Sequence, residues 1–163
     1  MTVSHPKTTS LWRNSTNDPT LKKWMEAFTG KFVLVSAEQY DQFLKAIGVG
    51  FLLRKAIPCF TPSIEIAEGD GDLWNVKTST IFKSFEIEFK LNEEFDETTP
   101  DGREVKSLVT VEDGVLVWLE RAKKEGVAST KTVGCMEEDN MLIFSYTVEG
   151  FPDLLCTQKF KRV

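Results

Sequence analysis

Residues 84–90 read SFEIEFK. Phe85, Ile87 and Phe89 fall on one side and Glu86, Glu88 and Lys90 on the other, the period of two that marks an extended strand with one dry and one wet face. The alternation continues outward in both directions. It predicts strands over 63–67, 73–78, 105–111, 115–121, 129–134, 141–148 and 154–162. Turn chemistry separates most of them: Gly69-Asp70-Gly71-Asp72, Thr99-Pro100-Asp101-Gly102, Glu112-Asp113-Gly114 and Glu138-Asp139-Asn140. Many short strands at this spacing give an all-β sandwich or a closed barrel.

Upstream the period changes. Residues 30–36, GKFVLVS, read as a first strand, after which Tyr40, Phe43, Leu44 and Ile47 keep helical spacing until Gly48 and Gly50 interrupt it. A second short helix is predicted over 51–56, with Leu52, Leu53 and Ala56 apolar, Arg54 and Lys55 charged, and Pro58 limiting its extension. Further upstream, Asn17, Asp18 and Pro19 form a helix start, and Leu21, Trp24, Met25 and Phe28 recur at i, i+3, i+4 and i+7. So short an amphipathic helix needs tertiary support, which favours packing on the domain's own surface over a membrane or partner contact. Residues 1–18 have no sustained apolar period and read as a tail. The chain thus divides into an extension over 1–26 and a single domain over 27–163.

Composition narrows the function classes. The chain is 41% hydrophobic and 28% charged, and no apolar run approaches the roughly 18–20 residues that crossing a bilayer requires. The N-terminus lacks the basic-then-apolar pattern of a secretory signal, so the expected location is cytoplasmic; the Asn14-Ser15-Thr16 glycosylation pattern would then go unused. A net charge of −5 is unfavourable for nucleic acid. Cys59, Cys135 and Cys156 are scattered, with no CxxC pair, which fits a reducing compartment. The only histidine, His5, lies in the tail, leaving little material for a metal cluster or for histidine-based catalysis.

In the last strand, Lys159 and Lys161 want water, so Cys156, Gln158 and Phe160 face inward. A glutamine there is either a core amide satisfied by backbone or a trapped water, or a group aimed at a ligand; composition favours the first. The preceding strand puts Leu142, Phe144, Tyr146 and Val148 on one face. With Phe85, Ile87 and Phe89 this is much aromatic bulk, which either lines a ligand cavity or fills two tightly packed sheets. Periodicity does not separate these alternatives.

From about Phe28 to Val163 the chain resembles the intracellular lipid-binding proteins, which include fatty acid-binding and cellular retinoid-binding proteins. The likeness begins with Gly30-Lys31-Phe32-Val33-Leu34 and Tyr40-Asp41 and continues through Ala46-Ile47-Gly48-Val49-Gly50, Arg54-Lys55 and Thr61-Pro62. It is densest from Phe82-Lys83 through 85–91 and on over 94–107, EFDETTPDGREVKS. The resemblance implies a ten-stranded antiparallel up-and-down barrel, a β-clam, with a helix-turn-helix lid. It also implies binding and transport of a long-chain fatty acid or similar hydrophobic ligand in an internal cavity, with no catalysis, cofactor or metal. The implied protein is a cytoplasmic monomer, in some members also nuclear, with transient membrane contact through basic residues that match Lys45, Arg54 and Lys55.

Members that bind fatty acids deep in the barrel use two arginines and a tyrosine at the head group, and those positions fall here on Cys135, Gln158 and Phe160. The ending, Cys156-Thr157-Gln158-Lys159-Phe160-Lys161, is more similar to the retinol-binding branch, although that branch's lysine and second glutamine fall on Ile64 and Cys135. The resemblance places Arg103 and Asp101 in the polar part of the cavity, Phe82 at the portal, Tyr40, Leu44, Leu52 and Leu53 on the lid, and Phe144 and Tyr146 among the ligand-binding residues. Gln158 cannot neutralise a charge, so a retinoid or other neutral-headed lipid is the alternative ligand. A barrel that has lost ligand binding and serves as an interaction protein is the other alternative.

Overall fold

The computed structural model describes residues 18–138 and 140–163. The tail readings, including His5 and Asn14-Ser15-Thr16, and the Asp139 position of the last turn lie outside the described residues. The described chain runs α1 (Pro19–Glu26), β1 (Gly30–Glu38), α2 (Tyr40–Ala46), α3 (Phe51–Ala56), a 3-10 turn (Ile57–Cys59), β2 (Ser63–Glu68) and β3 (Leu73–Ser79). It continues through β4 (Ser84–Lys90), β5 (Glu94–Thr98), β6 (Glu104–Glu112), β7 (Val115–Ala122), β8 (Thr130–Glu137), β9 (Met141–Val148) and β10 (Cys156–Arg162).

All ten strands form one antiparallel sheet in the order β4-β3-β2-β1-β10-β9-β8-β7-β6-β5. Each strand pairs with its sequence neighbour except where β10 returns to β1 and where β4 and β5 part. The sheet thus curls into a nearly closed barrel. A bulge at Val35, between Leu34 and Ser36, lets β1 pair with β2 over its first half and with β10 over most of its length. Across the β4/β5 gap, ring stacking replaces backbone bonds: Phe89 lies on Phe95 with centroids 5.6 Å apart.

The alternation predicted every strand but β5. Its sequence, EFDET, turns Phe95 and Glu97 inward, and an acidic residue on the dry face breaks the pattern that identifies a strand.

The helices close the barrel's two ends. Asp18 caps α1 by accepting from the Thr20 N–H at 2.9 Å, and Pro19 fits the first turn because no N–H is needed there. Met25 and the following Phe28 are fully buried in the main core, while Leu21 and Trp24 pack against its edge. At the end of β10, the Arg162 guanidinium donates to the carbonyls of Thr29 and Ala27 and lies over the Phe32 ring, tying α1 to the base. The described part of the extension therefore packs onto the barrel.

At the other end, Phe43 and Leu44 of α2, with Ile47 and Val49, pack on Val148 and Cys156. Arg54 of α3 holds the lid together by donating to Asp41 at 3.2 Å and to the Val49 carbonyl at 3.0 Å.

Candidate functional site

Inward-facing positions alternate along every strand, and toward the lid the inward face becomes polar. Arg103, just before β6, is buried, and all five of its N–H donors are engaged. Nε and Nη2 form a bidentate pair with Asp101 at 2.7 and 3.2 Å. Nη2 also donates to Glu120 at 3.1 Å, and Nη1 to the Ala128 carbonyl at 2.9 Å and, at 3.5 Å, to the Thr130 hydroxyl. Thr130 in turn donates to Glu120, and Thr99 donates to Asp101 at 2.8 Å. Burial works against the guanidinium's charge, but Asp101 and Glu120 outweigh it and hold the group protonated.

Next to this cluster stands Glu97, which sequence reasoning missed. Its carboxylate accepts from Ser107 at 2.7 Å. Burial raises its pKa above the usual range, opposed by the Ser107 bond and assisted by the nearby Glu120. The Trp118 indole N–H lies beside it and favours the carboxylate's charged form, yet it is buried and completes no hydrogen bond. The only sequence signal for Glu97 was the broken alternation in EFDET.

The raised pKa means that the folded chain holds the Glu97 proton more tightly than the unfolded chain does. The stability it contributes is complete below the unfolded value, near 4.5, and is lost as pH rises through the higher folded value. Glu97→Gln is therefore expected to raise the melting temperature at about pH 7, with the gain shrinking toward about pH 4. A gain that grows on acidification would contradict the assignment.

Tyr40, on α2, lies beside Gln158, and burial pushes its hydroxyl pKa up to about 12. Tyr146, on β9, is shielded still more and is raised well above the usual value, chiefly by burial. The buried Cys156 thiol is pushed up to about 12 by burial, which leaves it protonated and unreactive. Phe144 and Phe160 meet edge to face at 6.0 Å below these groups. The structure thus brings Tyr40, Gln158, Tyr146, Phe144 and Phe160 to one interior wall, with Arg103 and Asp101 beside it.

Cys135 is not part of that wall. It is exposed on the outer face of β8, paired in register with Val115 and Ile143. The inward residue at that level is Gly134, and a Cβ there would stand 2.7 Å from the Phe144 ring, which occupies the space a side chain would take. A shift of one residue in a strand moves a side chain to the opposite face. Leu44 packs between lid and barrel, whereas Leu52 and Phe82 stand out into solvent, 83% and 75% exposed. Phe82 contacts Phe60 edge to face at 5.1 Å.

Val76, Trp118, Met136 and Tyr146 point inward yet keep some accessible surface. A separate cleft of about 490 Å³ lies between the lid turn, 47–50, and the turn carrying Asp101 and Arg103, with Lys124 and Val127 at its edge.

Comparison with known proteins agrees with this architecture. The family model described as "Lipocalin / cytosolic fatty-acid binding protein family" matches residues 29–162. The Sodium/calcium exchanger regulatory protein 1 of Doryteuthis pealeii is 36% identical over 134 residues, covering 82% of this chain and 95% of that one. Fatty acid-binding protein homolog 5 of Caenorhabditis elegans is 45% identical over 100 residues, covering 61% and 73%. The crystal structure of apo Caenorhabditis elegans lipid binding protein 8 superimposes with a TM-score of 0.78 at 33% identity, covering 85% of this chain and 97% of that one. With its strand order, its two-helix lid and a profile match over nearly the whole barrel, this chain belongs to the lipocalin / cytosolic fatty-acid binding protein family.

Proposed function

We propose that this protein binds one long-chain lipid, a fatty acid or a close derivative, inside its barrel and carries it through the cytoplasm unchanged. The observation that carries this reading is a single inward face that is apolar toward α1, holds Arg103, Thr130 and Gln158 buried among it, and keeps some accessible surface at Val76, Trp118, Met136 and Tyr146. Each methylene taken from water is worth about 0.8 kcal/mol, so a long tail supplies ample binding energy without a covalent step or a cofactor. The names of the relatives, fatty acid-binding protein homolog and lipid binding protein, support the same class. Native mass spectrometry of the protein from its own cells, followed by lipid extraction, tests it. One single-tailed lipid per chain is expected; ligand-free protein that also fails to take up added oleyl lipids would overturn the reading.

Lipid passes at the portal formed by α3 and the turn between β3 and β4. Phe51, Leu52, Leu53, Ile81 and Phe82 are all exposed there, with Arg54 and Lys55 on the same helix. An apolar rim with cationic neighbours fits transient contact with an anionic bilayer. Replacing Leu52 and Phe82 together by serine is expected to slow transfer of a fluorescent lipid to phosphatidylserine vesicles about fivefold, while changing equilibrium affinity by less than about twofold. Equal transfer rates would remove the portal from this role.

A further inference from the structure

We infer that the head-group site selects lipids whose head is uncharged and both donates and accepts hydrogen bonds, such as a primary amide or an alcohol, and that Glu97 sets this preference. The inference rests on the proposed lipid-carrying function and narrows its ligand class. It follows from a tally of charges and donors in the polar part of the interior. Arg103 is the cation of that region among the described residues, and its five N–H groups already serve Asp101, Glu120, Ala128 and Thr130. No donor remains for a ligand carboxylate. Against this one cation stand three carboxyl groups: Asp101, Glu120 and Glu97. A fatty-acid carboxylate brought here would meet net negative charge in a low-dielectric surrounding, where repulsion over a few ångströms reaches several kcal/mol.

The neighbouring inward positions supply no compensating cation. Gln158 is neutral, Phe160 is apolar, and the inward residue of β8 is Gly134, its space taken by Phe144. What the site offers instead is a matched donor and acceptor. The Trp118 N–H is buried and completes no hydrogen bond, and the Glu97 carboxylate beside it accepts from the Ser107 hydroxyl. An amide or hydroxyl accepts from the first and donates to the second, satisfying both groups. Gln158, buried on β10 beside Tyr40, has an amide that likewise both donates and accepts.

The test uses the full chain, stripped of lipid and loaded with Nile red, an uncharged probe. Oleamide, oleyl alcohol and oleate share one tail length and differ only at the head. Oleamide and oleyl alcohol are expected to displace Nile red about tenfold more tightly than oleate, and Glu97→Gln is expected to narrow that gap at least about threefold by improving oleate binding. Oleate binding as tightly as oleamide in the wild-type protein, or a gap unaltered in a folded Glu97→Gln protein, would overturn the inference while leaving the carrier function standing. Failure of all three lipids to bind would instead overturn the carrier reading itself. Should Glu97→Gln fail to fold, the wild-type ranking decides the head-group preference, and the same narrowing of the gap in wild-type protein as the pH is lowered toward about 5 and Glu97 takes up its proton decides the part of Glu97.

Discussion

Replacing Arg103 with alanine is expected to lower folding stability by about 3 kcal/mol, read as a shift of the urea midpoint. The guanidinium is the shared partner of Asp101 and Glu120, whose side chains keep only 16% and 18% of their surface exposed. Removing it leaves two carboxylates close together, mostly out of water and without a counter-charge. Breaking one side of a buried pair costs about 3–5 kcal/mol in general, and the residual water contact here argues for the low end. A second protein separates charge from packing. If uncompensated charge is the cause, Arg103→Ala combined with Asp101→Asn and Glu120→Gln should regain most of the loss. An equal loss in both proteins would mean that the guanidinium acts through packing and its backbone bond to Ala128.

The second large effect lies at the opposite end of the barrel. Met25→Ala is expected to cost about 2–5 kcal/mol, because Met25 is fully buried in the main core and a truncated side chain leaves a cavity that α1 cannot collapse into. Lys22→Ala on the same helix is expected to change stability far less, since its 2.6 Å ion pair with Glu68 is formed at the surface, with both side chains about half exposed. The contrast distinguishes a structural closure from an arm lying on the barrel. Wild-type stability in the Met25 variant would show that the helix contributes nothing to the fold.

The order of elements was legible in the sequence because it depends on local periodicity. A period of two places alternate side chains on opposite faces of a strand, a period near 3.6 gathers them on one face of a helix, and neither needs knowledge of the partner. SFEIEFK and the spacing of Phe43, Leu44 and Ile47 are properties of a few consecutive residues. So is the inward direction of Gln158 and Phe160, which the flanking lysines dictate. β5 escaped this reasoning because Glu97 stands where the pattern demands an apolar residue, and the irregularity that hid the strand also marks a candidate head-group residue.

What the sequence determined by itself was therefore the succession of strands and helices, the dry face of nearly every strand, and the inward direction of Gln158. Only the tertiary structure decided that Gly134 rather than Cys135 faces inward, that Arg103 has no donor to offer, and that Glu97 and Trp118 stand side by side. The reason is that strand register and barrel closure bring together residues 97, 103, 107, 118, 120, 128 and 130 from separate strands and loops, and a through-space meeting of that kind leaves no trace in local spacing.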